Sequence, residues 1–179
     1  MKDTMTTDDE TTAAFDDYAA GAWPGLYRYA YLLAGNHADA EDLAQTTLMK
    51  AYTSWAKVRR ADSPTAYLRR TLTNTFLSAK RPKARRLEVL SDAPPEPRAP
   101  ADDGPVAVED RLALWPHVQR LPERQRAVVV LRYYEGLSER EIADTLGCSP
   151  GTVKSQSHHA IATLRDALSA SESEWRENR

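Results

Sequence analysis

The chain has 179 residues, of which 41% are hydrophobic and 28% charged, and its formal net charge is -2. This is an ordinary globular composition, and a single cysteine, Cys148, excludes a disulfide framework within the chain and fits a reducing compartment. No run approaches the roughly 18 apolar residues of a membrane span, and the stretch from Met1 to Asp17 is acidic without the apolar centre of a signal peptide, so a cytoplasmic location and no membrane partner are expected.

Charge is segregated along the chain. From Gln45 to Arg86 it is almost all positive, and Asp62 is the only acid in that stretch. The N-terminal arm and the stretch from Glu88 to Asp110 are acidic. Local sign governs which surface meets a polyanion, so the basic stretch suggests a nucleic-acid face. A solvated basic helix face is the plainer alternative.

Taken in chain order, the first 12 residues read as a disordered acidic arm. A helix carrying Leu26, Ala30 and Leu33 follows and ends in a tight Gly35-Asn36 turn. Asn36 then caps a long helix. Its Ala40, Leu43, Ala44, Thr47, Leu48, Ala51, Tyr52 and Trp55 recur at three- and four-residue spacing and make one apolar face. Ser63-Pro64 reads as N-cap and first residue of the next helix. That helix has Leu68, Leu72, Phe76 and Ala79 in register and is stopped by Pro82. Residues 13–86 thus form a small helical domain.

Residues 87–108 contain five prolines with acids between them and almost no apolar content. Each proline lacks an amide donor and clashes with the preceding turn, so this segment reads as an extended, flexible linker. A second helical domain follows over 109–170, with 171–179 as a tail. No run shows strand alternation, and the β-prone Val128–Leu131 lies inside a helical pattern from Pro122 to Tyr134. The expected fold class is all-α, with two small domains.

The sharpest local pattern runs from Leu137 to Lys154. Ser138 with Glu141 three residues later is a capping box. Ile142, Ala143 and Leu146 make a short apolar face, and Gly147 ends the helix in the left-handed conformation that costs glycine little. Ser149-Pro150 starts a second helix whose inner face is Val153, Ala160, Ile161, Leu164 and Leu168. Ala143 stands where the two helices of a helix-turn-helix cross closely. Thr152, Lys154, Ser155, Gln156, His158 and His159 fall on or near the outer face. The N-terminal part of such a helix lies in the major groove, where lysine meets phosphate or guanine and glutamine or serine reaches base edges. A helical hairpin with a polar outer face is the alternative.

Catalytic chemistry finds no support. Metal-ligand spacing, a phosphate loop and a nucleophile elbow are all missing. His37, His117, His158 and His159 form no constellation with Cys148 or a serine. Adjacent helical residues point about 100° apart, so His158 and His159 do not readily share one metal ion. No catalytic residue, metal or cofactor is expected.

Four segments together carry a family resemblance: Tyr31–Gln45, Ala66–Asn74, Leu121–Arg132 and Gly151–Gln156. From about Phe15 to Leu168 the chain resembles the extracytoplasmic-function sigma factors of bacterial RNA polymerase, most closely the actinobacterial SigE-like group. A response-regulator output domain shares the C-terminal pattern, but the N-terminal half lacks the alternating strands and helices of a receiver. The resemblance implies a sigma factor that binds core RNA polymerase, directs it to specific promoters and helps melt DNA. The two domains would be sigma regions 2 and 4.

Residue roles follow from the resemblance by position. Glu41, Asp42, Leu43 and Gln45 match the segment that docks on the clamp helices of the polymerase. The two acids would also favour the helix dipole, and both roles are compatible. Arg69, Arg70, Asn74, Lys80 and Arg81 match the face that meets the minus-ten element and melted DNA. Cations there neutralise phosphates and an amide can read an extruded base. The C-terminal domain would read the minus-thirty-five element as duplex and touch the polymerase flap. The family usually has arginine where His159 stands, which predicts one fewer phosphate contact. An anti-sigma protein is a further partner implied by resemblance.

Overall fold

The computed structural model describes residues 3–79 and 114–177, with side chains over 11–79 and 114–170. Regular structure among the described residues is all helical. In the N-terminal half, α1 spans Asp3–Ala34, α2 His37–Thr53, α3 Trp55–Arg59 and α4 Pro64–Ser78. In the C-terminal half, α5 covers 114–120, and α6 spans Glu123–Val129 and continues into a π-helical turn over Val130–Tyr134. The chain then forms α7, Glu139–Leu146, and α8, Pro150–Glu177.

The helix ends follow local side-chain chemistry. Gly35 ends α1 at φ +82, and Asn36 Oδ1 accepts from the Asp39 amide at 2.8 Å to start α2. Ser63 Oγ accepts from the Ala66 amide at 3.2 Å, and Pro64 stands at the first turn of α4. These bonds satisfy amides that a helix start otherwise leaves unpaired.

Several boundaries differ from the sequence reading. Residues 3–12 are the first turns of α1 rather than a separate disordered arm. No glycine or proline interrupts the run from Asp3 to Ala20, and acids near a helix N-terminus favour its dipole. The tail is helical as far as Glu177. The single helix expected through Trp55 breaks at Ser54 into α2 and α3. Thr53 Oγ1 donates to Lys50 O there, and such local bonds compete with helix continuation. The helix α4 ends at Ser78, so Ala79 is an exposed cap rather than a core residue. Leu48 is half-buried, and Tyr52 and Leu168 are exposed. The proposed linker over 87–108, together with Pro82, lies outside the described residues.

The core of the N-terminal half gathers Leu32 and Leu33 of α1, Val58 of α3, and Leu72 and Phe76 of α4, all fully buried. The buried Tyr29 hydroxyl pairs with Thr73 Oγ1 at 2.7 Å and ties α1 to α4. Desolvation by burial raises the Tyr29 pKa. The core of the C-terminal half is Val118, Leu121, Val128, Leu131, Ile142 and Val153. The two cores are continuous. Trp115 of α5 stacks on Tyr31 of α1 with centroids 6.2 Å apart and planes 12° apart.

Arg126 of α6 is the polar anchor between the halves and is only 4% exposed. It donates to Leu33 O at 2.7 Å and to the carbonyls of Gln119 and Leu121, while its guanidinium lies over the Phe76 ring. Gln119 Nε2 donates to Leu32 O at 3.0 Å. Carbonyls near the C-terminus of α1 are thereby satisfied by side chains of the other half. A Cβ on Gly35 would displace the Gln119 amide, and the positive φ favours glycine there.

Candidate nucleic-acid and polymerase interfaces

The helix-turn-helix is built from short-range bonds. Ser138 Oγ accepts from the Glu141 amide, and the Ser138 amide donates to Glu141 Oε2 at 2.9 Å. Hydrogen bonds from the Ser138 hydroxyl and amide hold the Glu141 carboxyl below the usual carboxylate range. Gly147 takes the left-handed conformation at φ +63, and the Cys148 amide returns to Ala143 O at 3.0 Å. Ser149 Oγ accepts from the Thr152 amide at 3.1 Å and starts α8. Ala143 is 2% exposed in the core that α7 and α8 share. A small residue there fits two helices that approach closely.

That frame leaves Lys154, Ser155, His158 and His159 exposed along α8. Thr152 is also exposed, with its hydroxyl 2.9 Å from Ser149 Oγ. Gln156 stands apart. It is half-buried and lines a cleft with Leu77 of α4, Arg124 of α6 and Cys148 of the turn.

The second candidate face is on α4. Arg70 and Asn74 are exposed one turn apart. Arg69 points elsewhere, because neighbouring helical residues diverge by about 100°. Its guanidinium donates to Glu135 Oε2 at 3.1 Å, and its side chain is 16% exposed. Lys80 and Arg81 lie outside the described residues.

The third face is on α2, where Glu41, Asp42 and Gln45 are exposed and Gln45 Nε2 donates to Glu41 Oε1 at 3.0 Å. Leu43 does not join them. It is 5% exposed and packs inward with Ala40, Ala44 and Thr47, so it supports α2 instead of presenting a contact. Met49 and Tyr52 extend the outer stripe, at 70% and 48% exposure. Their spacing from Gln45, four and seven residues on, was the signal that could have found them.

Comparison with known proteins gives the family of the chain. Residues 23–86 match the sigma-70 region 2 family, and residues 117–164 match sigma-70 region 4. The RNA polymerase sigma-E factor of Streptomyces coelicolor is 40% identical over 158 residues, which cover 87% of this chain and 86% of that protein. The ECF RNA polymerase sigma factor SigE of Mycolicibacterium smegmatis is 37% identical over 176 residues, covering 94% and 67%. The chain belongs to the extracytoplasmic-function sigma factors.

Solved sigma factors share the fold. RpoE of Bartonella quintana, in complex with the anti-sigma factor NepR, superposes with a TM-score of 0.62 at 28% identity, covering 87% of this chain and 97% of that one. CnrH, in complex with the cytosolic domain of CnrY, gives 0.56 at 22% identity, covering 89% and 90%. As a sigma factor the chain is a non-enzymatic initiation factor that directs RNA polymerase to promoters. Among the described residues no helix is long and apolar enough to cross a membrane.

Two residues that matter to these faces escaped sequence reading. Glu135 stands at the end of the π-helical turn, where its amide donates to Val130 O at 3.1 Å, and Arg126 lies in the contact between regions 2 and 4. Both act across long sequence separations, so no local spacing marks them.

Proposed function

We propose that the sigma factor divides promoter recognition among its three exposed faces. Glu41, Asp42 and Gln45 of α2, extended by Met49 and Tyr52, dock on the clamp helices of core polymerase. Arg70 and Asn74 of α4, with Arg69, Lys80 and Arg81, hold the minus-ten element and its melted strand. Lys154, Ser155, His158 and His159 of α8, with Thr152 and Gln156, read the minus-thirty-five element while region 4 touches the flap. Acting on core polymerase and promoter DNA, the chain works in the cytoplasm. An anti-sigma protein covering these faces is the proposed external regulator, by likeness to RpoE bound to NepR.

The observation that carries this reading is the pairing of two polar surfaces in one chain. One is the helix-turn-helix with its exposed Lys154 row, and the other is α4 with exposed Arg70 and Asn74. Cations neutralise phosphates on both, and polar side chains reach base edges.

Run-off transcription with purified core polymerase, on promoters selected by the protein, tests the division. Glu41→Ala with Asp42→Ala should weaken core binding with little change in melting temperature, because α2 starts at His37, Asp39 is the acid in its first turn, and the Glu41–Gln45 bond is exposed. Arg70→Ala with Asn74→Ala should leave core binding intact and reduce open-complex formation. Lys154→Ala should weaken duplex recognition alone. Retention of full transcription by all three variants would overturn the assignment.

A further inference from the structure

A cavity of about 330 Å³ opens between α1 and α4, apart from the exposed faces of α2, α4 and α8. Its apolar wall includes Leu26 of α1 and Leu68 of α4, both buried. Small-ligand sites have this size and this make-up, an apolar wall with a few polar groups that fix orientation.

The polar groups stand at two ends and differ in charge. At one end Glu135 is 2% exposed and lies between Arg69 at 3.1 Å and Arg28 at 3.8 Å. Two guanidinium groups against one carboxylate leave that end positive, and a guanidinium has donors for a second acceptor. At the other end Asp17 is exposed, with Asp16 beside it. Asp17 and Arg28 are both on α1, eleven residues apart, which is about 16 Å of helix rise.

Gly21 lines the space between these ends. A Cβ there would meet nothing within 4 Å, and Gly21 is not among the glycines with positive φ. Neither crowding nor dihedral therefore calls for glycine, although only proline is less favourable inside a helix. A larger side chain at this position would take up the cavity itself.

We propose that the cavity binds a short peptide zwitterion, a dipeptide with an apolar side chain. Its carboxylate meets Arg69, its ammonium meets Asp17, and its side chain lies along Leu26 and Leu68. An extended dipeptide spans about 7 Å, and the Asp17 and Arg69 side chains reach across the remainder. A ligand with a single charge leaves one end of the cavity without a partner. Bound peptide also engages Arg69 and so competes with promoter DNA for that guanidinium. This consequence rests on the proposed minus-ten role of Arg69, whereas the binding itself does not.

Calorimetric titration of the full chain with Ala-Leu should reveal one site per chain. N-acetylated Ala-Leu lacks the ammonium and Ala-Leu amide lacks the carboxylate. Each should bind weaker by about tenfold or more, because each loses a hydrogen bond to a charged group. Asp17→Asn should weaken Ala-Leu by about tenfold and leave the N-acetylated peptide unchanged, which pairs that residue with the ammonium. Gly21→Leu should fill the cavity and abolish binding, while melting no lower than the natural chain and retaining transcription without peptide. Gly21→Ala is the smaller filling and should weaken binding less.

No heat of binding with millimolar Ala-Leu would overturn the site. Equal binding of the two capped peptides would overturn the zwitterion. Binding that survives in folded Gly21→Leu would overturn the location. Ala-Leu added before core polymerase should slow promoter-dependent transcription by the natural chain and not by Gly21→Leu. If the peptide binds as described but transcription is unchanged, the site stands and the minus-ten assignment of Arg69 falls.

Discussion

Glu141 is exposed, yet its carboxyl is held below the usual range by the Ser138 hydroxyl and amide. The unfolded chain lacks these bonds, so its carboxyl titrates at a higher pH than in the folded protein, near about 4.3. The capping box thus contributes stability above that value, and the contribution is lost as pH falls through the lower folded pKa. Glu141→Ala should melt below the natural protein at neutral pH, and the gap should narrow as the pH falls through the lowered folded pKa. Calorimetry at neutral and at acid pH checks this; a gap independent of pH would mean that the charged bond contributes nothing.

His159 is exposed on α8, among the residues proposed to meet the minus-thirty-five duplex. An arginine at this position would supply a permanent cation for a phosphate. Introducing the cation by His159→Arg should tighten minus-thirty-five duplex binding and steepen the dependence of log K on log salt by about 0.9. Fluorescence anisotropy across a salt series reads both effects. An unchanged slope would place His159 away from the DNA backbone.

At the scale of elements, what was legible in the sequence is what is decided over three or four residues. The Asn36, Ser63 and Ser138 caps and the left-handed Gly147 all lie where their side chains predict, because a cap is a bond between near neighbours. The break at Ser54 and the π-helical turn at Val130–Tyr134 were not legible. The apolar periodicity runs through Thr53 and Ser54 to a buried Trp55, so the pattern alone does not reveal the interruption. In the same way Leu43 belongs to a segment that resembles a docking surface, but its place in the i, i+4, i+8 inner row sends it to the core. Ala143 gives the element-scale prediction. Ala143→Leu adds bulk where α7 and α8 pack on each other and should cost about 1–3 kcal/mol. The loss should show in urea unfolding and should weaken duplex binding more than single-strand binding, since the damage is confined to the helix-turn-helix. Equal weakening of both would argue against separate roles for α4 and α8.

At the scale of the whole molecule, the sequence divides the chain at its proline-rich segment, but the cores on either side of it are continuous. Composition could not show this, because the contacts joining them come from residues 66 to 93 positions apart, such as Arg69 with Glu135 and Arg126 with Leu33. Arg126 decides how tightly the halves are coupled. Its bonds to the carbonyls of Leu33, Gln119 and Leu121 come from a charged donor, and such bonds contribute about 1.5–3 kcal/mol each. Cooperative unfolding of the two regions as one unit is the expected result, with a single calorimetric transition whose calorimetric and van't Hoff enthalpies agree. Arg126→Met keeps a long apolar stem under Phe76 but removes every donor. The Leu33 carbonyl then loses its partner in region 4, and opening the contact to water becomes the cheaper way to satisfy it. Two separated transitions are expected for this variant, with region 4 melting first because it has lost both the contact and the bonds within α5 and α6. One unchanged transition would mean instead that the Trp115–Tyr31 stack and the apolar contacts around it couple the regions without Arg126.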